Sequence, residues 1–281
     1  MKKWNLIIDI EKCEDCNNCF LACKDEHVDN EWPDVTNSQP RHGHRWMNIM
    51  RKERGKFPLI DVAYRPTPCM HCDDAPCIAA AGPDKVLKRD DGIVLIHPQK
   101  AKGDKSILKS CPYGAVFWNE EVNIAQKCTF CAHLLDTGWK KPRCVQVCPT
   151  GALNIVKADE TEMKKLIKSR NLETLSLEHK TSPRVYYKNL HLFHTCFIAG
   201  SVAVQCEDII DCASGAAVIL RKEGAVLKET LTDHFGDYKF DGIEPDQKNL
   251  HLEISYKDFK IETISIDEIN KSITLPDIVF A

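Results

Sequence analysis

Apolar positions fall into two textures along the 281 residues. In residues 1–158 they form short runs broken by Cys, Pro and His, few of them long enough for an ordinary helix, so something besides a large apolar core must hold this part together. Two runs, 5–9 and 93–97, read as strands, and each leads into a segment that is cysteine-rich or spaced as though it once had been; a duplicated unit is the simplest reading. Residues 159–171 predict one amphipathic helix, with Asp159 placed to cap against Glu162 and with Met163, Leu166 and Ile167 on one face. An irregular arm continues to residue 199. From residue 200 alternation takes over, in 201–207, 216–222, 226–232, 238–240, 251–256 and 272–275, with turn residues such as Gly236 and Asp237 between runs. That spacing predicts a small β-sandwich over 200–281.

Charge narrows the partners. With 38 Lys and Arg against 41 Asp and Glu the formal net charge is -3, which gives no electrostatic case for nucleic acid or an anionic membrane. Hydrophobic residues at 43% and charged residues at 28% exclude disorder as a description of the whole. The abnormal number is 15 cysteines, twelve from Cys13 to Cys148 and three from Cys196 to Cys212. An odd total in a chain this long argues against a disulfide scaffold, and MKKWNLIIDIEKC shows neither a signal-peptide core nor paired arginines, so the expected compartment is the reducing cytoplasm. The longest apolar stretches, such as the one near 197–204, are about half the roughly 20 residues of a membrane helix, so any membrane attachment is expected through a partner.

The ligand pattern is specific. Cys13, Cys16, Cys19 and Cys23 follow the spacing of bacterial two-cluster ferredoxins, in which three thiolates wrap one cluster and the fourth serves another. A zinc site usually shows two separated pairs instead. Further groups are Cys69, Cys72 and Cys77; then Cys111 followed by Pro112; then Cys128, Cys131, Cys144 and Cys148 followed by Pro149. If fourth cysteines are exchanged between groups one and four and between two and three, twelve cysteines make three sites: Cys13, Cys16, Cys19, Cys148; Cys128, Cys131, Cys144, Cys23; and Cys69, Cys72, Cys77, Cys111. The positions left without cysteine, Ala81, Ala101, Asp104 and Ile107, are together the ligand set of one further cluster, absent as a unit.

Four such groups in this order, with the long loop in the last, resemble the iron-sulfur subunits of the molybdopterin oxidoreductase (dimethyl sulfoxide reductase-like) family over roughly 5–155. CEDCNNCFLACKDEH, RHGHRWMNI, RPTPCMHCDDAPC and PRVYYKNL extend the likeness to members that lack one cluster and carry an appended β-domain. The resemblance implies a ferredoxin-like domain at 1–158 with three 4Fe-4S clusters, a helix and arm at 159–199, and a sandwich at 200–281; TLTDHFGDYKFDGI is similar to transthyretin-like or collagen-adhesin-B-like repeats. It also implies a large partner subunit carrying molybdenum with two pterin guanine dinucleotides, in a complex that moves hydroxyl groups on polyhydroxylated benzenes while this chain transfers electrons. The alternatives are a polyferredoxin serving another molybdopterin reductase or a phenol hydroxylase, and a non-redox zinc protein used in assembly.

Other residues have quieter readings. His71 is expected not to be a ligand, His42 and His44 to dock or pack, and Lys127 and Arg143 either to offset cluster charge or to be solvated. Cys196, Cys206 and Cys212 are expected to be small buried hydrophobes. With no Gly-rich nucleotide loop and no Ser-His-Asp pattern, no catalytic residue is expected in this chain.

Overall fold

The computed structural model describes residues 1–281, and they form two compact units: Met1–Met50 with Tyr64–Leu190, and Arg51–Ala63 with His191–Ala281. The chain is rich in strands, its helices are few, and no helix is long and apolar enough to cross a membrane.

In the first unit the strand Lys3–Asp9 lies at the centre of a three-stranded sheet. Leu153–Ala158 pairs with it antiparallel, Ile8 opposite Leu153, and Val185–Lys188 pairs parallel on the other side. Leu6 and Ile8 are buried because both faces of this strand are covered. Two hairpins follow the same plan on a smaller scale: Val86–Lys88 with Val94–Ile96, and Val116–Asn119 with Ile124–Lys127. Short helices fill the gaps, Asn18–His27 against Arg143–Gln146 and Pro76–Ala81 against Ser106–Ser110. The amphipathic helix spans Glu160–Arg170: Asp159 accepts from the Glu162 N–H and Glu162 from the Asp159 N–H, both at 2.9 Å, and Met163 packs on Ile7, Ala158 and Leu172.

The second unit is a two-layer sandwich. One sheet is Ile209–Cys212, Cys196–Cys206 and Asp237–Ile243, with Ile273–Thr274 and Ile278–Phe280 also on the long strand; the other is Ala225–Leu231, Ala217–Lys222, Gln247–Ser255 and Glu262–Ile269. Alternate residues face inward, Val218 and Leu220 from one strand and Leu250, Leu252 and Ile254 from its neighbour, against Ile198, Val202 and Phe240. Gly236 closes the Asp233–Asp237 turn at φ +80°, where a Cβ would lie 2.2 Å from the Val202 carbonyl oxygen, so only glycine fits.

These compact units divide the chain differently from 1–158, 159–199 and 200–281. The arm through Leu190 belongs with the first unit because Val185–Lys188 is a strand of its sheet. The long sandwich strand begins at Cys196, where Phe197 to Ala199 are buried and the apolar run does not alternate. Residues 51–63 join the sandwich because the tip of the hairpin Met47–Lys56 and Leu59–Pro68 buries Arg54 there; its side chain, 1% exposed, pairs with Asp61 and with Asp241 at 2.8 Å.

Burial alone would raise the carboxyls of Asp61 and Asp241, but Lys239 and Arg54 outweigh it and hold both below the usual carboxylate range. Their contribution to stability is therefore complete above about pH 4, the ordinary unfolded range, and is lost as pH falls through the depressed folded values. Asp241→Asn is expected to cost about 2–3 kcal/mol at neutral pH, seen as faster amide exchange along Asp237–Ile243, with the gap from the unaltered chain closing in acid.

Candidate iron-sulfur centres

The cysteine loops share one backbone device. In Cys13–Cys16, Cys69–Cys72 and Cys128–Cys131 the third residue is left-handed: Asp15 at φ 55°, His71 at 45° and Phe130 at 53°. None is glycine, so each turn is held against a steric preference of about 1–2 kcal/mol. The conformation turns that residue's N–H back onto the first sulfur. His71 donates to Cys69 Sγ and Phe130 to Cys128 Sγ, each at 3.5 Å, and the Asp15 main chain does the same for Cys13. Successive N–H groups aimed at sulfur form a site for negative charge.

The fold gathers the thiols into sets. Because Ile8 pairs with Leu153 and the Asp9 N–H bonds the Ala152 carbonyl at 2.8 Å, the first group begins where the last one ends. Cys19 accordingly feels the charges of Cys13, Cys16 and Cys148. Packing of Asn18–His27 on Arg143–Gln146 brings Cys23 and Cys144 into the field of Cys128 and Cys131. Pro76–Ala81 against Ser106–Ser110 does this for Cys77 and Cys111, which line one void with Cys69 and Cys72. Cys16 is the most open of the twelve; Cys19, Cys23, Cys69, Cys72, Cys77, Cys131 and Cys144 are buried.

As free thiols these groups sit in hostile surroundings. Burial, then the neighbouring thiols, push Cys19 and Cys72 up to about 12; burial pushes Cys131 to about 12 and Cys77 to about 11, and it raises Cys23 and Cys144 well above the ordinary thiol value. A group carrying positive charge at the centre of each set reverses that penalty, since a coordinated thiol ionises outright. On donor chemistry and spacing, the residues fit iron-sulfur clusters.

The positions without cysteine are filled by protein. Ala101 and Ile107 are fully buried, Asp104 pairs with Lys85 at 2.7 Å, and Ala81 ends the helix Pro76–Ala81. His71 accepts a hydrogen bond from the Val94 N–H at 3.0 Å through Nδ1 and packs tilted against Phe130, ring centroids 3.8 Å apart. His44 packs, its Nε2 2.9 Å from the Trp118 carbonyl oxygen, while Arg41 pairs with Asp29. Arg143 pairs with Glu26 at 3.1 Å, and its charge still works against the rise of the Cys131 thiol. Cys196 is buried in the sandwich, but Cys206 and Cys212 are exposed, contrary to the expectation for them: they lie in the hairpin with Ile209–Cys212, a strand with every residue exposed. The sequence reading missed Thr181, which is buried, touches the Cys72 sulfur and lies 2.6 Å from the Tyr113 hydroxyl. No spacing signal connects it to ligands so far away in the chain.

Residues 60–158 match the family described as 4Fe-4S dicluster domain. The chain belongs to the iron-sulfur subunits of the molybdopterin oxidoreductase family. The pyrogallol hydroxytransferase small subunit of Pelobacter acidigallici is 46% identical over 278 residues, covering 98% of each chain. A putative dimethyl sulfoxide reductase iron-sulfur subunit of Halobacterium salinarum is 30% identical across 67% of this chain and 80% of that one. An arsenate respiratory reductase iron-sulfur subunit of a Shewanella species is 28% identical, over 65% of this chain and 94% of that one.

Since Cys111 shares its void only with Cys69, Cys72 and Cys77, Cys111→Ser is expected to change the electron paramagnetic resonance spectrum of one cluster and leave the rest intact. Equal loss of every cluster signal from a folded protein is the outcome that breaks this grouping.

Proposed function

We propose that this chain carries three 4Fe-4S clusters and transfers electrons in a molybdopterin-dependent hydroxytransferase acting on polyhydroxylated benzenes. In this reading Cys13, Cys16, Cys19 and Cys148 hold one cluster, Cys23, Cys128, Cys131 and Cys144 a second, and Cys69, Cys72, Cys77 and Cys111 a third, in a duplicated ferredoxin-like domain. The observation that carries it is the approach of thiols from distant groups, Cys19 to Cys148 and Cys23 to Cys128, Cys131 and Cys144, which is the approach a two-cluster ferredoxin plan requires. The likeness to a pyrogallol hydroxytransferase small subunit over 98% of both chains includes the sandwich and supports the substrate class.

A bound cluster supplies a site that takes and gives single electrons. The chain's own residues do the rest. Left-handed turns aim N–H groups at sulfur, Met70, His71 and Val94 wall one set from water, and the strand closure fixes the sets relative to each other within the first unit. The partner in this reading is a large subunit that holds molybdenum with two pterin guanine dinucleotides and performs the substrate chemistry. Fifteen free thiols suit a reducing compartment such as the cytoplasm.

Anaerobic native purification tests the reading. It is expected to yield a large molybdenum-pterin chain together with this one, and about four irons and four labile sulfides for each cluster. Zinc without sulfide, or isolation with no molybdopterin-containing chain, overturns it.

A further inference from the structure

Lys127 immediately precedes Cys128, and in sequence its charge pairs naturally with that cysteine's set. The fold keeps its ammonium on the Cys128 carbonyl and also places the side chain at the void of a second set. Lys127 ends the strand Ile124–Lys127 opposite Val116 and is 2% exposed. Its ammonium donates to the Val94 carbonyl oxygen and, at 3.1 Å, to that of Cys128. Neither acceptor is charged. The same side chain lines the void enclosed by Cys69, Cys72, Cys77 and Cys111.

The neighbouring cations are otherwise engaged. Lys88 and Arg184 both pair with Asp73, whose carboxylate offsets one of their two charges. His71, in the turn between Cys69 and Cys72, packs against Phe130 of the Cys128 loop and takes the Val94 N–H. One peptide segment, Val94, is thus held at its N–H by the loop of one set and at its carbonyl by the lysine preceding the other. Two carbonyls accept from two of the ammonium's three N–H groups and leave its charge uncompensated, and a buried charge left uncompensated costs several kcal/mol. An anionic centre in the void supplies the compensation. A cluster on four thiolates is anionic and gains a further negative charge on reduction, so a fixed cation at its edge favours the reduced form.

We propose that Lys127 is a positioning residue that raises the reduction potential of the cluster held by Cys69, Cys72, Cys77 and Cys111, acting across the boundary between two cysteine groups. The proposal rests on the three-cluster reading above.

Full-length protein purified anaerobically, as Lys127→Gln and Lys127→Arg beside the unaltered chain, is titrated potentiometrically by electron paramagnetic resonance. Cys111→Ser identifies the signal of interest. Lys127→Gln keeps a donor and loses the charge. It is expected to lower the one-electron reduction constant of the Cys111-dependent signal at least tenfold, about 59 mV, while the signal of the Cys13 set stays in place and Lys127→Arg stays near the unaltered value. Should Lys127→Gln fail to load that one cluster, losing about a third of the iron while Lys127→Arg loads fully, the need for the charge is equally shown. An unmoved potential in Lys127→Gln, an equal shift of every signal, a loss of iron from all sets alike, or Lys127→Arg behaving as Lys127→Gln overturns the proposal. The three-cluster reading fails separately, through the iron and sulfide content of the unaltered chain.

Discussion

The antiparallel pairing of Lys3–Asp9 with Leu153–Ala158 joins the two ends of the cysteine-bearing segment, and the placement of its thiols follows from that closure. Closing so long a loop costs only a few kcal/mol, because the entropy grows with the logarithm of length. Ladder hydrogen bonds and the burial of Leu6 and Ile8 offset it. Once it is made, Cys13 and Cys148 are neighbours, and the packing of Asn18–His27 on Arg143–Gln146 follows, carrying Cys23 to Cys144. The remaining set sits inside the loop so formed, on two hairpins and two short helices, and needs no contact with the chain ends.

Such a unit is built around groups that its own chemistry disfavours when empty. Buried thiols repel one another once ionised, left-handed turns at Asp15, His71 and Phe130 hold non-glycine residues in an uncommon conformation, and Lys127 is an ammonium among carbonyls. Each of these costs is reversed by the same event, a cluster drawing negative charge onto sulfur and positive charge into the centre. Metal binding and folding are therefore coupled here in the way expected of small metallo-domains, and short apolar runs suffice for the remaining core.

The sandwich is held by other forces. Its interior is aliphatic and aromatic, and its one costly element, the buried guanidinium of Arg54, is paired twice. That side chain arrives on the hairpin tip, well over a hundred residues before the sandwich's own strands in the chain.

How much of this was legible in sequence depends on the range of the force involved. The helix Glu160–Arg170 was readable because a capping box and a 3.6-residue period are local, and most sandwich strands were readable because alternation is. The candidate ligands were readable for a different reason: cysteine spacing within a group is fixed by the reach of one turn around a cluster, and the proposed exchange of fourth ligands rests on counting. Strands Ile209–Cys212, Glu262–Ile269 and Ile278–Phe280 escaped, the first because its residues are all exposed and the last because it is so short. The hairpin tip, Thr181 on Cys72 and the direction of Lys127 escaped for a stronger reason. A side chain next to Cys128 in sequence points into the void of Cys69 and Cys111 only because Val116 pairs with Lys127, and that register is set by packing between segments. Sequence by itself determined which residues meet the clusters' chemical demands; tertiary structure decided which charge faces which set, since electrostatic influence follows distance in space and is indifferent to distance along the chain.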